Sequence, residues 1–252
     1  MFDFKKIVLF GDSITQYSFN EELKGWGAAL EHRYARKLDV VNRGFSGYNT
    51  AWAKHIFPQI LPVSKDGVEV PFELVTIFFG ANDAALPSSP QHVPLEQYQQ
   101  NLRELINMIH SPESKYYSPN TRILLITPPP LDETAWEKHC LEGGRTLDRN
   151  AETTYSYVIG CSKVGEEMDI PVVNLWQLIN EDIFENESEL IDYLLDDGLH
   201  LNSVGNDVLT VGILDAIKKF WPDIYFENLD MTLPWWGDID PSNPVEYLNF
   251  PN

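Results

Sequence analysis

The sequence predicts an α/β protein, a three-layer α/β/α sandwich built around a five-stranded parallel sheet. Three observations predict it. Five short apolar runs of strand type recur along the chain, nearly continuous rather than alternating, as in strands covered on both faces. Segments of helical period lie between them, as parallel strands require for their crossovers. A chain of 252 residues can bury a substantial core as one domain of this class.

The first run is Ile7-Val8-Leu9-Phe10, within MFDFKKIVLFGD. It is too short to span a membrane and lacks a small-residue cleavage site, so it reads as the first core strand of a soluble protein. A cytoplasmic location without stable membrane insertion is expected. The run breaks at Gly11-Asp12-Ser13, which leaves Ser13 at the edge of the fold. A helix follows over 26–38, with Trp26, Leu30, Tyr34 and Leu38 on one face. The second run, Val40-Val41, leads into Asn42-Arg43-Gly44-Phe45-Ser46-Gly47. Its two glycines can turn the backbone tightly and bring an amide close to a ligand.

The third run, Leu74-Val75-Thr76-Ile77-Phe78-Phe79, ends at Gly80-Ala81-Asn82-Asp83. A helix over 95–109 presents Leu95, Tyr98, Leu102, Leu105, Ile106 and Ile109 on one face and stops at Ser111-Pro112. Ile123-Leu124-Leu125-Ile126 and Pro171-Val172-Val173-Asn174-Leu175 are the fourth and fifth runs. After Asp197-Gly198-Leu199-His200, a final helix starts near Ser203 and carries Lys218 and Lys219 in its last turn, where cations suit the helix dipole. Pro222 ends it. The domain therefore spans 1–221. Residues 222–252, rich in Pro, Asp and aromatics, are too aromatic for a disordered tail; they are expected to form an extended strap packed on the domain, pinned by Trp235 and Trp236.

The chain carries 18 basic and 38 acidic residues, a formal charge of −20. Such a field repels phosphate backbones and anionic lipid, which excludes nucleic acid as a partner. Cys140 and Cys161 are the only cysteines, too few for a disulfide framework or a thiolate metal site. Asp12, Asp83, Asp196, Asp197 and His200 hold a single histidine and no recognised ligand spacing, so neither metal nor cofactor is expected. Oligomeric state is left open, a homodimer included.

Taken singly, each polar stretch has an ordinary explanation: Ser13 as a cap, the glycines and Asn82 as turns, His200 as a structural residue. All three of the earlier stretches, however, fall at the carboxyl ends of predicted parallel strands, where open α/β sheets bind ligands. Asp197 precedes His200 by three residues, so its carboxylate can accept from one imidazole nitrogen and leave the other facing a nucleophile.

Ser13, Asn42-x-Gly44, Gly80-x-Asn82-Asp83 and Asp197-x-x-His200, in that order, resemble the four sequence blocks of the SGNH hydrolases, also called the GDSL esterase family. The resemblance runs from about Ile7 to Trp221. Ile14 stands where the Leu of GDSL would be, which preserves apolar packing beneath Ser13. The stretches Trp26-Gly27-Ala28-Ala29-Leu30, Arg43 to Tyr48 and Thr76 to Ala84 look like the isoamyl acetate-hydrolysing esterase branch.

The resemblance implies a flavodoxin-like sheet and a serine esterase of short, acetate-type carboxylic esters acting on a small-molecule substrate. Ser13 would be the nucleophile, His200 the base and Asp197 its orienting carboxylate. The oxyanion hole would comprise the backbone N–H groups of Ser13 and Gly44 and the side-chain amide of Asn82. Asp12 and Asp83 are expected to be structural. Phe45, Trp52, Phe78, Leu86 and the prolines at 128–130 are the expected pocket walls. Two other readings are a carbohydrate acetylesterase or deacetylase and a catalytically silent binding module; the latter is disfavoured because both Ser13 and His200 are retained. A Gly-x-Ser-x-Gly elbow fails at Gly44-Phe45-Ser46-Gly47-Tyr48, where Tyr48 occupies the position of the second glycine.

Overall fold

Period-two alternation sends the side chains of each strand into one of two cores in the computed structural model, which describes residues 4–63 and 71–248. On one face of the sheet Ile7, Leu9, Leu74, Phe78, Leu124 and Ile126 are buried; on the other lie Val8, Phe10, Val75, Ile77, Ile123 and Leu125. Both faces are dry because helices cover both. Full burial of each such side chain contributes about 1.5–3 kcal/mol.

The strands are β1 (Lys6–Gly11), β2 (Asp39–Gly44), β3 (Phe72–Phe78), β4 (Arg122–Ile126) and β5 (Val172–Val173). Their spatial order is β2-β1-β3-β4-β5, all parallel. The chain reverses its direction of travel across the sheet between β1 and β3, the switch point where such folds open a crevice at the carboxyl ends of the strands.

The helices are α1 (Ser13–Gln16), α2 (Trp26–Tyr34), α3 (Thr50–Ile60), α4 (Leu95–His110), α5 (Glu133–Glu142), α6 (Ala151–Met168), α7 (Leu175–Asn186) and α8 (Ser203–Phe220). Helices α2, α5, α7 and α8 contribute to the first core, and α3, α4 and α6 to the second. None among the described residues is long and apolar enough to cross a membrane.

Several boundaries differ from expectation. Helix α2 stops at Tyr34 because Ala35 is extended, with φ −49° and ψ 128°, and Arg36 is left-handed at φ 65°. Leu38 is still buried, but from the connecting turn. β2 continues through Asn42 and Arg43 to Gly44, so half of the expected turn is strand. Conversely, β5 keeps only two residues, since Asn174 turns to cap α7 through its side chain on the N–H of Gln177. Helix α6 buries Tyr157, Val158, Cys161 and Val164 at helical spacing, interleaved with the small or polar Thr154, Gly160 and Gly165. A Cβ on Gly160 would meet Leu95 Cδ1 at 2.8 Å, so here close approach to α4 replaces bulk.

Past Pro222 the chain hydrogen-bonds to α2 and the turn after it. Tyr34 donates to the carbonyl of Ile224 at 3.0 Å, and Arg36 to the carbonyls of Leu233 and Pro234 at 2.7 and 3.0 Å. Lys37 donates to the carbonyl of Phe226. Trp235 and Trp236 do not pin this segment: they are 53% and 76% exposed and pack on each other at 4.9 Å. Arg36 and Lys37 hold the chain instead, by backbone carbonyls that carry no sequence signature. The last four residues of the expected strap lie outside the described residues.

Gly44 is where β2 comes closest to α1. A Cβ there would lie 2.0 Å from Gln16 N and 2.4 Å from Gln16 Cα, backbone atoms that cannot step aside. Gly44→Ala is therefore expected to cost on the order of 3 kcal/mol by overpacking, whereas Gly143→Ala, in an exposed turn, should cost less than about 0.5 kcal/mol. Urea unfolding of the two variants measures the difference; equal midpoints would contradict the close approach.

Candidate active site

Register brings three strand ends level. Gly11 is paired with Gly44 on one side and with Phe78 on the other, so the segments leaving β1, β2 and β3 diverge from one place. Ser13 opens α1, whose N-cap is Asp12: the Asp12 Oδ1 accepts the N–H of Ile14 at 3.0 Å. Ser13 is 6% exposed, and its own N–H has no acceptor among the described residues.

Asn42 ties the far end of α1 to β2. Its Nδ2 donates to the carbonyls of Thr15 and Gln16 at 3.0 and 3.1 Å, and to Ser18 Oγ at 3.2 Å. Its Oδ1 accepts the N–H of Gly44 at 2.8 Å. This corrects the expectation for Gly44: its amide is engaged by Asn42 rather than offered to a substrate oxygen, and its lack of a side chain serves the approach of α1.

The amide without an acceptor in this stretch belongs to Gly47. Tyr48 donates its N–H to the carbonyl of Phe45 at 3.1 Å, and Gly47 inside that turn has φ +80°, the type II conformation that calls for glycine. Both glycines were visible in the sequence. Their roles could not be separated until the end of β2 was known.

Asn82 follows β3 and is buried. Its Nδ2 donates to the carbonyl of Tyr48 at 2.9 Å, and its Oδ1 accepts from Gln91 Nε2 at 3.1 Å and Arg149 Nη2 at 3.0 Å. The Gln91 Nε2 also donates to the carbonyl of Gly47 at 2.8 Å. The turn carrying Gly47 and the side chain of Asn82 are thus one hydrogen-bonded unit.

His200 and Asp197 sit on a tight loop before α8. Leu194 and Leu201 form an antiparallel bridge across its base, and Leu195 donates to the carbonyl of His200 at 2.7 Å. Gly198 reverses the chain at φ +73°, where a Cβ would lie 2.6 Å from the carbonyl oxygen of Asp132. Asp197 Oδ1 accepts the N–H groups of Leu199 and His200 at 2.9 and 3.0 Å, leaving Oδ2 to the imidazole Nδ1 at 2.6 Å.

Burial pushes the Asp197 carboxyl up, but the hydrogen bond and charge of His200 and the two backbone donors outweigh it and hold its pKa below the ordinary value. An ionised carboxylate can only accept, so Nδ1 carries the proton. The other nitrogen, Nε2, then accepts from the Ser13 hydroxyl at 2.8 Å. A proton acceptor, oriented from behind, thus rests on a hydroxyl 187 residues away in sequence.

The expected pocket walls divide. Phe78 is 1% exposed and meets Trp26 edge-on at 6.3 Å; it is core, because strand alternation points it into the sheet face under α2. The prolines at 128–130 are buried as well. Phe45 is partly buried between Phe10 at 6.3 Å and Tyr48 at 5.5 Å, and the exposed Trp52 meets Tyr48 at 5.6 Å. Leu86, partly buried, donates its N–H to the carbonyl of Asp148 at 2.7 Å.

Sequence reasoning missed Tyr17, Gln91 and Arg149. The ring of Tyr17 lies 5.3 Å from that of His200. None of the three sits in a periodic pattern or beside a motif residue, so no local signal marks them. Among the described residues no group of three or more His, Cys, Asp or Glu side chains is placed to hold a metal ion.

Residues 9–208 match the GDSL-like lipase/acylhydrolase family. The chain belongs to that family and is a carboxylic ester hydrolase. Among its relatives, the isoamyl acetate-hydrolyzing esterase 1 homolog of Mus musculus is 41% identical over 241 residues, covering 95% of this chain and 90% of its own. The isoamyl acetate-hydrolyzing esterase of Saccharomyces cerevisiae is 33% identical over 251 residues, covering 96% and 98%. The crystal structure of a lipase/acylhydrolase from Enterococcus faecalis superposes with a TM-score of 0.63 at 24% identity, over 91% of this chain and 100% of that one, which is a likeness of fold.

Two further carboxylates lie beneath the site. Burial pushes the Asp12 carboxyl up to about 6, against the Ile14 hydrogen bond and the charges of His200 and Arg149; its Oδ2 has no hydrogen-bond partner among the described residues. Burial likewise pushes Asp83 up to about 7, against hydrogen bonds from the Thr50 hydroxyl and N–H. A carboxyl whose folded pKa is raised contributes stability at pH below its unfolded value, near 3.8, that is lost as pH rises through the folded value, near 6 for Asp12. Asp12→Asn keeps a cap acceptor and removes this titration. Wild type should therefore lose on the order of 3 kcal/mol relative to Asp12→Asn between about pH 4 and 7, measured by denaturant unfolding across that range; parallel profiles would contradict the assignment.

Proposed function

We propose that this protein hydrolyses short-chain, acetate-type carboxylic esters, isoamyl acetate among them, through a Ser13–His200–Asp197 acyl-enzyme mechanism. The observation that carries the mechanism is the chain of two contacts, Asp197 Oδ2 to His200 Nδ1 at 2.6 Å and His200 Nε2 to Ser13 Oγ at 2.8 Å. The names borne by relatives at 33 and 41% identity support the substrate class.

In this reading Ser13 Oγ attacks the ester carbonyl as its proton passes to His200 Nε2, and Asp197 stabilises the imidazolium. The tetrahedral oxyanion is held by the N–H groups of Ser13 and Gly47 and by the remaining N–H of the Asn82 amide. The first two have no acceptor among the described residues, which is why Gly47 replaces Gly44 in this role. His200 then returns the proton to the departing alcohol. Water, deprotonated by the same imidazole, attacks the acyl-enzyme and releases the carboxylic acid. Tyr17 beside His200, and Phe45, Tyr48 and Trp52 beside the Gly47 turn, supply apolar surface for an alkyl alcohol.

Hydrolysis of esters from acetate to octanoate, with isoamyl acetate and an acetylated xylose in the series, checks this. Activity should peak at acetate, persist with a chelator, fall about 10²- to 10³-fold in Asn82→Ala, and be lost in Ser13→Ala. Hydrolysis by Ser13→Ala at the wild-type rate would end the reading. Acetylated xylose outpacing isoamyl acetate would move the substrate to carbohydrate esters.

A further inference from the structure

Resting on the esterase reading above, we propose that Arg149 is a positioning residue for the oxyanion site: its donor-only guanidinium dictates which way the amides of Asn82 and Gln91 face. Arg149 is 2% exposed and lies between α5 and α6, far from the four motif stretches in sequence. Its Nε donates to the carbonyl of Ala81 at 3.1 Å, and its Nη1 to Asp148 Oδ1 at 2.9 Å. Its Nη2 donates both to Asn82 Oδ1 at 3.0 Å and to Gln91 Oε1 at 2.8 Å. The guanidinium carbon lies 4.7 Å from the centroid of the Trp136 ring, and Trp136 Nε1 donates to the same Asp148 oxygen at 2.8 Å. The planar cation is thus clamped from its face and along its edge.

A primary amide has one accepting and one donating end; the backbone carbonyl of Tyr48 draws the NH2 end of Asn82, and a second group must fix its oxygen end. Arg149 does so. Guanidinium has no acceptor, so only an oxygen can face Nη2. Turned about, Asn82 would set its NH2 against Arg149 Nη2 and Gln91 Nε2, and its oxygen against the carbonyl of Tyr48. That oxygen would then also confront the substrate oxyanion. The same logic holds Gln91. Its oxygen is drawn to Arg149, so its NH2 must face Asn82 Oδ1 and the carbonyl of Gly47. One buried side chain thus fixes the oxygen ends of both amides, Asn82 as an oxyanion donor and Gln91 as the brace on the Gly47 turn, before substrate arrives, and preorganised donors are what acyl-transfer sites depend on.

The test is a double-mutant cycle on hydrolysis of p-nitrophenyl acetate, with thermal melting of each protein alongside. Arg149→Met, similar in length but without donors, should lower kcat about 10- to 100-fold with KM changed less than about 3-fold. In the Asn82→Ala background the same substitution should cost at least about tenfold less, since the amide it orients is gone. Arg149→Lys, which keeps the charge but not the fork, should give a smaller loss and a proportionally smaller coupling in the same direction, and carries the cycle if the Met variant does not fold. An equal factor in both backgrounds, or a rise in KM at unchanged kcat, would overturn the positioning role. If instead wild type and Ser13→Ala hydrolyse the ester alike, it is the esterase reading that fails, so the two failures are distinguishable.

Discussion

The pairing of β1 between β2 and β3 is the constraint on which the rest of the site depends. Gly11 stands level with Gly44 and Phe78, so the three chains that leave the sheet there begin from a common plane and diverge within a few residues. Two glycines make this possible. A Cβ on Gly11 would lie 2.5 Å from the carbonyl oxygen of Phe78, and one on Gly44 would lie 2.0 Å from Gln16 N. With those contacts allowed, α1 folds directly onto the end of β2, and Ser13 faces the loop that carries His200. The sheet's switch point lies at this same place, so the crevice that topology opens coincides with the contact between Ser13 and His200.

The polar groups packed beneath that crevice are costly to bury, and the manner of their burial is instructive. Arg149 uses Nε, Nη1 and Nη2 as donors and lies over an aromatic face, the condition under which a buried cation is tolerated. Asp12 and Asp83 have no such counterpart in direct contact; burial raises both carboxyls, and each is held by the turn it serves, Asp12 as the cap of α1 beside Ser13 and Asp83, next to Asn82, by the N–H and hydroxyl of Thr50 at the start of α3. Stability is given up near neutral pH so that these turns hold their shape. Natural sites accept such local conflicts where function demands a fixed geometry.

Much was legible from local pattern. Five apolar runs announced a parallel sheet because strands buried on both faces cannot alternate with polar residues. Gly11-Asp12-Ser13 and Asp197-Gly198-Leu199-His200 were legible because their geometry is made within four residues: a cap on Ile14, and an Asp197 carboxylate that takes two backbone amides and the imidazole of its own loop. Helix α6 was less so, since Thr154, Gly160 and Gly165 interleave with Tyr157, Val158, Cys161 and Val164 on its buried face and blur the apolar stripe. Phe78 looked like a pocket wall because type and position along the strand do not reveal the face on which a side chain lies.

The sequence by itself determined the class of fold, the order of its strands along the chain and the local turns that carry Ser13 and His200, because each of these follows from periodicity or from residues acting on near neighbours. Tertiary structure alone decided that Gly44 serves packing while Gly47 offers its amide, that Trp235 and Trp236 stay in solvent, and that Arg149 reaches the amide of Asn82 across 67 residues. The physical reason is the same in each case. A hydrogen bond or a steric clearance between distant segments depends on register and on where a strand ends, and neither is written in the residues that make the contact.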